Sequence, residues 1–116
     1  DQDVLVFDRW GPWLYRGIDA WRSVAQAWFV SLGADRLRVA FEEPTVQITA
    51  DLAAVHALLR YTAVTDSGQT LYAQDQRMTW VLRPTAAGWK IVHQHSSAPV
   101  DFASGQVEQE RHDPDD

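Results

Sequence analysis

From residue 36 onward the chain is patterned for strand almost without a break, and that run limits the folds open to it. Leu37, Val39 and Phe41 alternate with Arg36, Arg38 and Ala40, the two-residue period of a strand with unlike faces. Pro44 cannot donate to a ladder, so a bulge or bend is expected there before Val46 and Ile48 resume the alternation. A long strand follows over residues 54–64 and closes at the turn Asp66-Ser67-Gly68. The segment "QTLYAQDQRMTWVLRP" returns and stops at Pro84, "TAAG" turns the chain again, and residues 89–96 form the last strand. Long strands joined by short turns make an antiparallel meander.

One stretch has a different period. Ile18, Trp21, Ala25, Trp28 and Leu32 recur every three or four residues, which is one face of a helix. Asp19 falls in its first turn, where the helix dipole favours an acid, and Gly33 can take the left-handed conformation that ends it. Ahead of the helix, residues 4–7 read as a strand ending at Asp8, "RWGPW" as a turn, and "LYRG" as a short extended piece. One helix and about five strands, most of them after the helix, define an α+β domain. A single helix covers only part of such a sheet, so a second helical element or a partner subunit is expected over the rest.

Composition bounds the function. At 116 residues the chain is one domain with room for a core, and 46% hydrophobic against 22% charged residues is a globular balance. With no cysteine, neither a disulfide framework nor a thiolate metal site can form. No apolar run approaches the roughly 18 residues of a membrane span, and no charged-then-apolar signal segment opens the chain. A cytoplasmic location is the expectation, with no membrane partner. The net charge of -6 is uneven: residues 105–116 hold five acids against Arg111, leaving a nearly balanced remainder. Nothing there offers the basic patch of a nucleic-acid binder. The expected division is a folded domain over residues 1–104 and an acidic, disordered tail over 105–116.

Strand parity sorts the polar residues. In the last strand Trp89, Ile91, His93, His95 and Ser97 are expected on one face and Lys90, Val92, Gln94 and Ser96 on the other. Arg77, Thr79 and Val81 oppose Met78, Trp80 and Leu82; His56, Leu58, Arg60 and Thr62 oppose Val55, Ala57, Leu59 and Tyr61. Arg60 and Arg77 are the anomaly, since arginine within an apolar strand needs a partner. His93 and His95 share a face, as two-histidine metal sites require, yet only Asp8 and His56 could add ligands and two arginines would repel a cation. No metal and no cofactor are expected.

The stretches "VLVFDRWGPWLYRGIDAWRSVAQAWF" and "RMTWVLRPTAAGWKIVHQHSSAPVDFASG" resemble the SnoaL-like branch of the nuclear transport factor 2 superfamily, which includes ketosteroid isomerase-like proteins. The likeness runs over residues 4–105. The Arg77-x-Thr79 strand and the His93-x-His95-x-Ser97 ending are also similar to the association domain of calcium/calmodulin-dependent kinases. The resemblance implies a cystatin-like cone: a curved antiparallel sheet wrapped around helix, a ligand pocket at the open end, and a homodimer through the outer sheet face. It also implies one or two helices ahead of the first strand. Those N-terminal helices are absent from this sequence, which opens directly at the strand.

Steroid isomerases of this superfamily carry a carboxylate base at the end of the first strand, and Asp8 occupies the matching place. Trp13 and Tyr15 would wall the pocket. A carboxylate serves as general base when its pKa is tuned toward the working pH. The bland alternative is that Asp8 caps the following turn. Where the isomerases place a protonated acid, this sequence has Arg77, which could stabilise an enolate or grip a carboxylate. By resemblance to the kinase domains, Arg60 and Arg77 would hold an acidic group, with His56 and His95 beside them; internal salt bridges with Asp8 or Glu43 are the alternative. Two functions follow. One is a pocket enzyme moving a proton on a carbonyl or carboxylate substrate, with Asp8 and Arg77 catalytic. The other is a non-catalytic module that holds an anionic metabolite. The residues of "SS" after His95 lack any nucleophile-elbow setting.

Overall fold

The three-to-four residue period forms α1 (Ile18–Ser31), the single helix among the described residues, 1–111, of the computed structural model. Among the described residues no side chain caps its start: Gly17 sits there at φ 86°, and Asp19 lies in the first turn. Its end is the expected one. Leu32 and Gly33 donate their backbone N–H groups to Phe29 O and Val30 O, and Gly33 adopts φ 59°. A Cβ at Gly33 would meet nothing within 4 Å, so the cost of Gly33→Ala is purely conformational. It should lower stability by about 1–2 kcal/mol, read as a lower midpoint in thermal unfolding.

Six strands of the described residues make one sheet: β1 (Leu5–Phe7), β2 (Tyr15–Arg16), β3 (Arg36–Ile48), β4 (Ala53–Val64), β5 (Thr70–Thr85) and β6 (Gly88–Ser97). Their order across it is β2-β1-β6-β5-β4-β3. β3 to β6 are the expected antiparallel meander. The sheet as a whole is mixed, because β1 lies parallel to β6, Phe7 opposite His95. A hairpin forces antiparallel pairing, but β1 and β6 are joined through the whole domain, so no turn sets their direction.

Bulges decide which side chains share a face. In β3 the register slips between Glu42 and Thr45, and Glu43 takes φ 52°. One extra residue there changes the parity, so Leu37, Val39 and Phe41 face the same side as Val46 and Ile48. A second slip falls where Val81 pairs with His93 but Leu82 pairs with Ile91. Val92 is the extra residue, and it corrects the expected alternation: Trp89 and Ile91 lie on the opposite face from His93 and His95.

The helix-side face carries Val6, Phe41, Leu59, Tyr61, Gln76, Met78, Trp80, Gln94 and Ser96, by register. Trp28 of α1 meets Tyr61 there, ring centroids 6.1 Å apart. The core cluster is Ala57, Leu59 and Met78, flanked by Tyr61 and Trp80. α1 itself buries no residue completely, and Val39, Phe41, Val46 and Ile48 stay largely exposed on this face. The cover that the sheet was expected to need is thus only partly supplied by α1.

After β6 the chain turns back on itself. Val100 bridges Val107, and the turn between them is closed by Gly105 N–H to Asp101 O. The Glu108 backbone N–H donates to Pro99 O, and Gln109 O accepts from Asp75 N–H, so the chain continues the ladder beside β5 beyond the end of β6. Composition places residues 105–111 in a disordered tail. The structure instead ties them to the sheet, through backbone bonds that composition does not reveal. Residues 112–116 of the expected tail lie outside the described residues.

Candidate functional site

Asp8 follows directly on β1, on the helix-side face. Its Oδ1 accepts from Ser96 Oγ at 2.8 Å, and its Oδ2 accepts from Trp10 N at 3.3 Å. The second bond is the turn cap that a sequence reading allows. The first is a tie across the β1–β6 pair. Ser96 is 3% exposed, and its hydroxyl also accepts from Arg9 N at 3.1 Å. One buried hydroxyl therefore fixes both the Asp8 carboxylate and the backbone beside it. A carboxylate has about four acceptor sites, so two bonds leave Asp8 with open lone pairs.

Tyr61 stands on the same face. Burial holds its phenol above the usual tyrosine pKa, and the negative charge of Asp8 adds to the effect. Tyr61 is therefore a neutral donor at ordinary pH. Gln76, buried below Asp8's level of exposure, donates to Gln74 Oε1 at 3.3 Å, and Trp80 Nε1 donates to Gln94 Oε1 at 2.9 Å. Tyr15 packs on Trp21 of α1, centroids 5.6 Å apart, and lies so close over Gly11 that a Cβ there would overlap its hydroxyl. Trp13, at 95% exposed, stands in solvent on the turn and walls nothing among the described residues.

The other expected site residues are on the outer face, which corrects their grouping with Asp8. Arg77 pairs with Ser97 and donates Nε–H to its Oγ at 3.0 Å. His56 shares a hydrogen bond with Thr79 Oγ1 at 3.2 Å. His95 is exposed, edge-on to Phe7, and His93 donates Nδ1–H to Leu5 O at 2.7 Å. Asp8 and Arg77 leave opposite faces of the sheet and do not converge on one substrate atom.

Arg60 is an ion-pair residue. It donates Nε–H to Asp75 Oδ1 at 2.8 Å and Nη2–H to Oδ2 at 2.7 Å, a two-pronged pair. That hydrogen bonding raises the Arg60 pKa and lowers the Asp75 pKa. Arg111 joins the group: its backbone N–H also reaches Asp75 Oδ2, and its guanidinium bonds Glu42 and Glu43. Asp75 is thus the joint between β4, β5 and the C-terminal segment. A carboxylate with a depressed folded pKa stabilises fully above the ordinary aspartate value of ~3.9 and loses that contribution as pH falls through the lower folded value. Asp75→Asn should therefore be less stable than the parent at neutral pH, with the gap closing as the pH drops below about 4. Urea midpoints followed across pH would show it; a gap independent of pH would remove the charge from the explanation.

Among the described residues no group of three or more His, Asp or Glu side chains is placed to hold a metal, and no helix is long and apolar enough to cross a membrane. Sequence reasoning missed Ser96 and Tyr61. Ser96 could have been found from parity once Val6 is set opposite Gln94, because Asp8 then faces Ser96.

The family profile described as a SnoaL-like domain matches residues 1–101. No curated protein matches the chain. Several solved structures share its fold. A nuclear transport factor 2-like protein with a cystatin-like fold from Novosphingobium aromaticivorans is 20% identical, with a TM-score of 0.73 over 90% of this chain and 68% of that one. A candidate ketosteroid isomerase from Shewanella frigidimarina is 23% identical, with a TM-score of 0.63 over 84% of this chain and 74% of that one. A calcium/calmodulin-dependent kinase II hub from S. rosetta is 26% identical, with a TM-score of 0.61 over 84% of this chain and 74% of that one. These likenesses fit the cystatin-like α+β architecture described above.

Proposed function

The chain belongs to the SnoaL-like domain family, and from that premise we propose that it is a small-molecule pocket protein that moves a proton on a carbonyl substrate, with Asp8 as general base. The observation that carries this reading is the Asp8 carboxylate held by Ser96 Oγ on the same sheet face as the neutral phenol of Tyr61. In the step, a carbon next to the carbonyl gives its proton to Asp8. The electron pair of that C–H bond moves toward the carbonyl, and the oxygen takes up negative charge as an enolate. Tyr61, rather than the outer-face Arg77, donates a hydrogen bond to that oxygen. Asp8 then returns the proton to the same or a conjugated carbon.

The aromatic rings of Trp21, Trp28 and Trp80 around this face favour an apolar carbonyl compound over a charged one. The alternative in which Arg60 and Arg77 together grip an anion loses Arg60, whose fork is already filled by Asp75. The test is deuterium uptake at the α-carbon of a panel of cyclic and aromatic ketones in heavy water, followed by NMR. Catalysed uptake supports the reading. A panel that exchanges no faster than with buffer alone removes it.

A further inference from the structure

We infer that the cavity beneath the C-terminal segment is a second ligand site, on the outer face of the sheet, for a small zwitterion of the amino-acid class. The cavity has a volume of about 270 Å³ and lies between β4, β5 and residues 99–111. It neither includes Asp8 nor depends on the proposed reaction.

The charges around the cavity divide into two sets. Asp75 and Glu42 line it but are satisfied by Arg60 and Arg111. Three charged side chains are left with bonding capacity. Arg77 uses only Nε–H, on Ser97 Oγ, and its two terminal nitrogens bond to no protein group among the described residues. Glu108 and Glu110 hydrogen-bond through their carboxylates to none of the described residues; Glu110 only adds to the field that keeps Arg60 charged. All three line the same cavity, together with the apolar side chains of Leu58 and Pro99.

That arrangement selects by both attraction and repulsion. A plain carboxylate would pair with Arg77 but meet Glu108 and Glu110. A plain amine would pair with the glutamates but meet the guanidinium. A molecule with both groups satisfies each: its carboxylate takes the two parallel N–H bonds of the arginine fork, and its ammonium gives up to three bonds to the glutamates. Its methylene stem lies against Leu58 and Pro99. The Ser97 bond fixes the plane of the guanidinium beforehand, which lowers the ordering cost of binding.

The site can be tested by NMR titration of the 15N-labelled chain at low ionic strength. The ligands are glycine, alanine, 5-aminopentanoate and lysine, with propionate and propylamine as the two halves. The expected result is that at least one zwitterion shifts the amides of Arg77, Ser97 and Glu108 to Glu110, and that both halves bind roughly tenfold or more weakly. Arg77→Ala should erase the advantage over propylamine, and Glu108→Gln with Glu110→Gln should erase the advantage over propionate. These side chains are exposed, and an unchanged amide spectrum elsewhere shows that each variant is folded. Two results overturn the inference: no zwitterion shifts these amides, or a half binds as tightly as the whole.

Discussion

Asp8→Asn is expected to slow catalysed α-proton exchange by about 10²–10⁴-fold, with little change in ligand affinity. The amide keeps the size of the carboxylate and can still accept from Ser96 Oγ or Trp10 N, the two groups that hold Asp8. It cannot act as a base. The loss therefore isolates proton transfer from positioning: kcat falls and KM stays, the pattern of an interaction made in the transition state. Tyr61→Phe should lower the rate less, because it removes one donor to the enolate oxygen and leaves the base in place. Arg77→Ala should leave the exchange rate unchanged, since its side chain is on the outer face. A large effect from Arg77→Ala with none from Tyr61→Phe would reverse the assignment of the electrophile.

Leu59→Ala should destabilise the fold by about 2–5 kcal/mol, a drop on the order of 10 °C in Tm for a domain this size. Leu59 is 3% exposed and packs with Ala57 and Met78 in the small core cluster. With both neighbours on the sheet and α1 burying no residue completely, little can collapse into the space left behind. Phe41→Ala provides the contrast. Phe41 is on the same face but 59% exposed, so its removal takes away less burial despite the larger side chain. A chemical denaturation series would rank the two, and a Phe41→Ala cost equal to that of Leu59→Ala would mean that the edge of this face is covered in solution.

The elements themselves were legible in the sequence for local reasons. The helix announced itself through Ile18, Trp21, Ala25 and Trp28, and ended at a glycine that takes φ 59°. The slip near Pro44 was signalled by the proline and by the change from odd to even apolar positions. The slip at Val92 had no such signal, since a valine with no proline or glycine beside it looks like any strand residue. Its consequence was the mistaken grouping of Trp89 and Ile91 with the histidines.

The site was half legible. Asp8 could be placed because a strand ends there and a turn begins. Parity could show that His56 and Arg60 share a face, but it could not place Arg77 on that face or say which face meets the helix. That depends on the pairing of β1 with β6, a contact across nearly the whole chain. The same distance hid the Asp8–Ser96 bond. The C-terminal segment was misjudged because its acids suggested disorder, whereas Arg111 ties it to Glu42, Glu43 and Asp75.

The central claim is that the functional site lies on the helix-side face around Asp8. Its most direct test is to map a flat phenolate, such as a naphthol that mimics an enolate, onto the assigned amide spectrum. The account predicts shifts concentrated at Val6, Asp8, Tyr61, Gln76 and Ser96. Shifts concentrated instead at Arg77, His93 and His95 would contradict it.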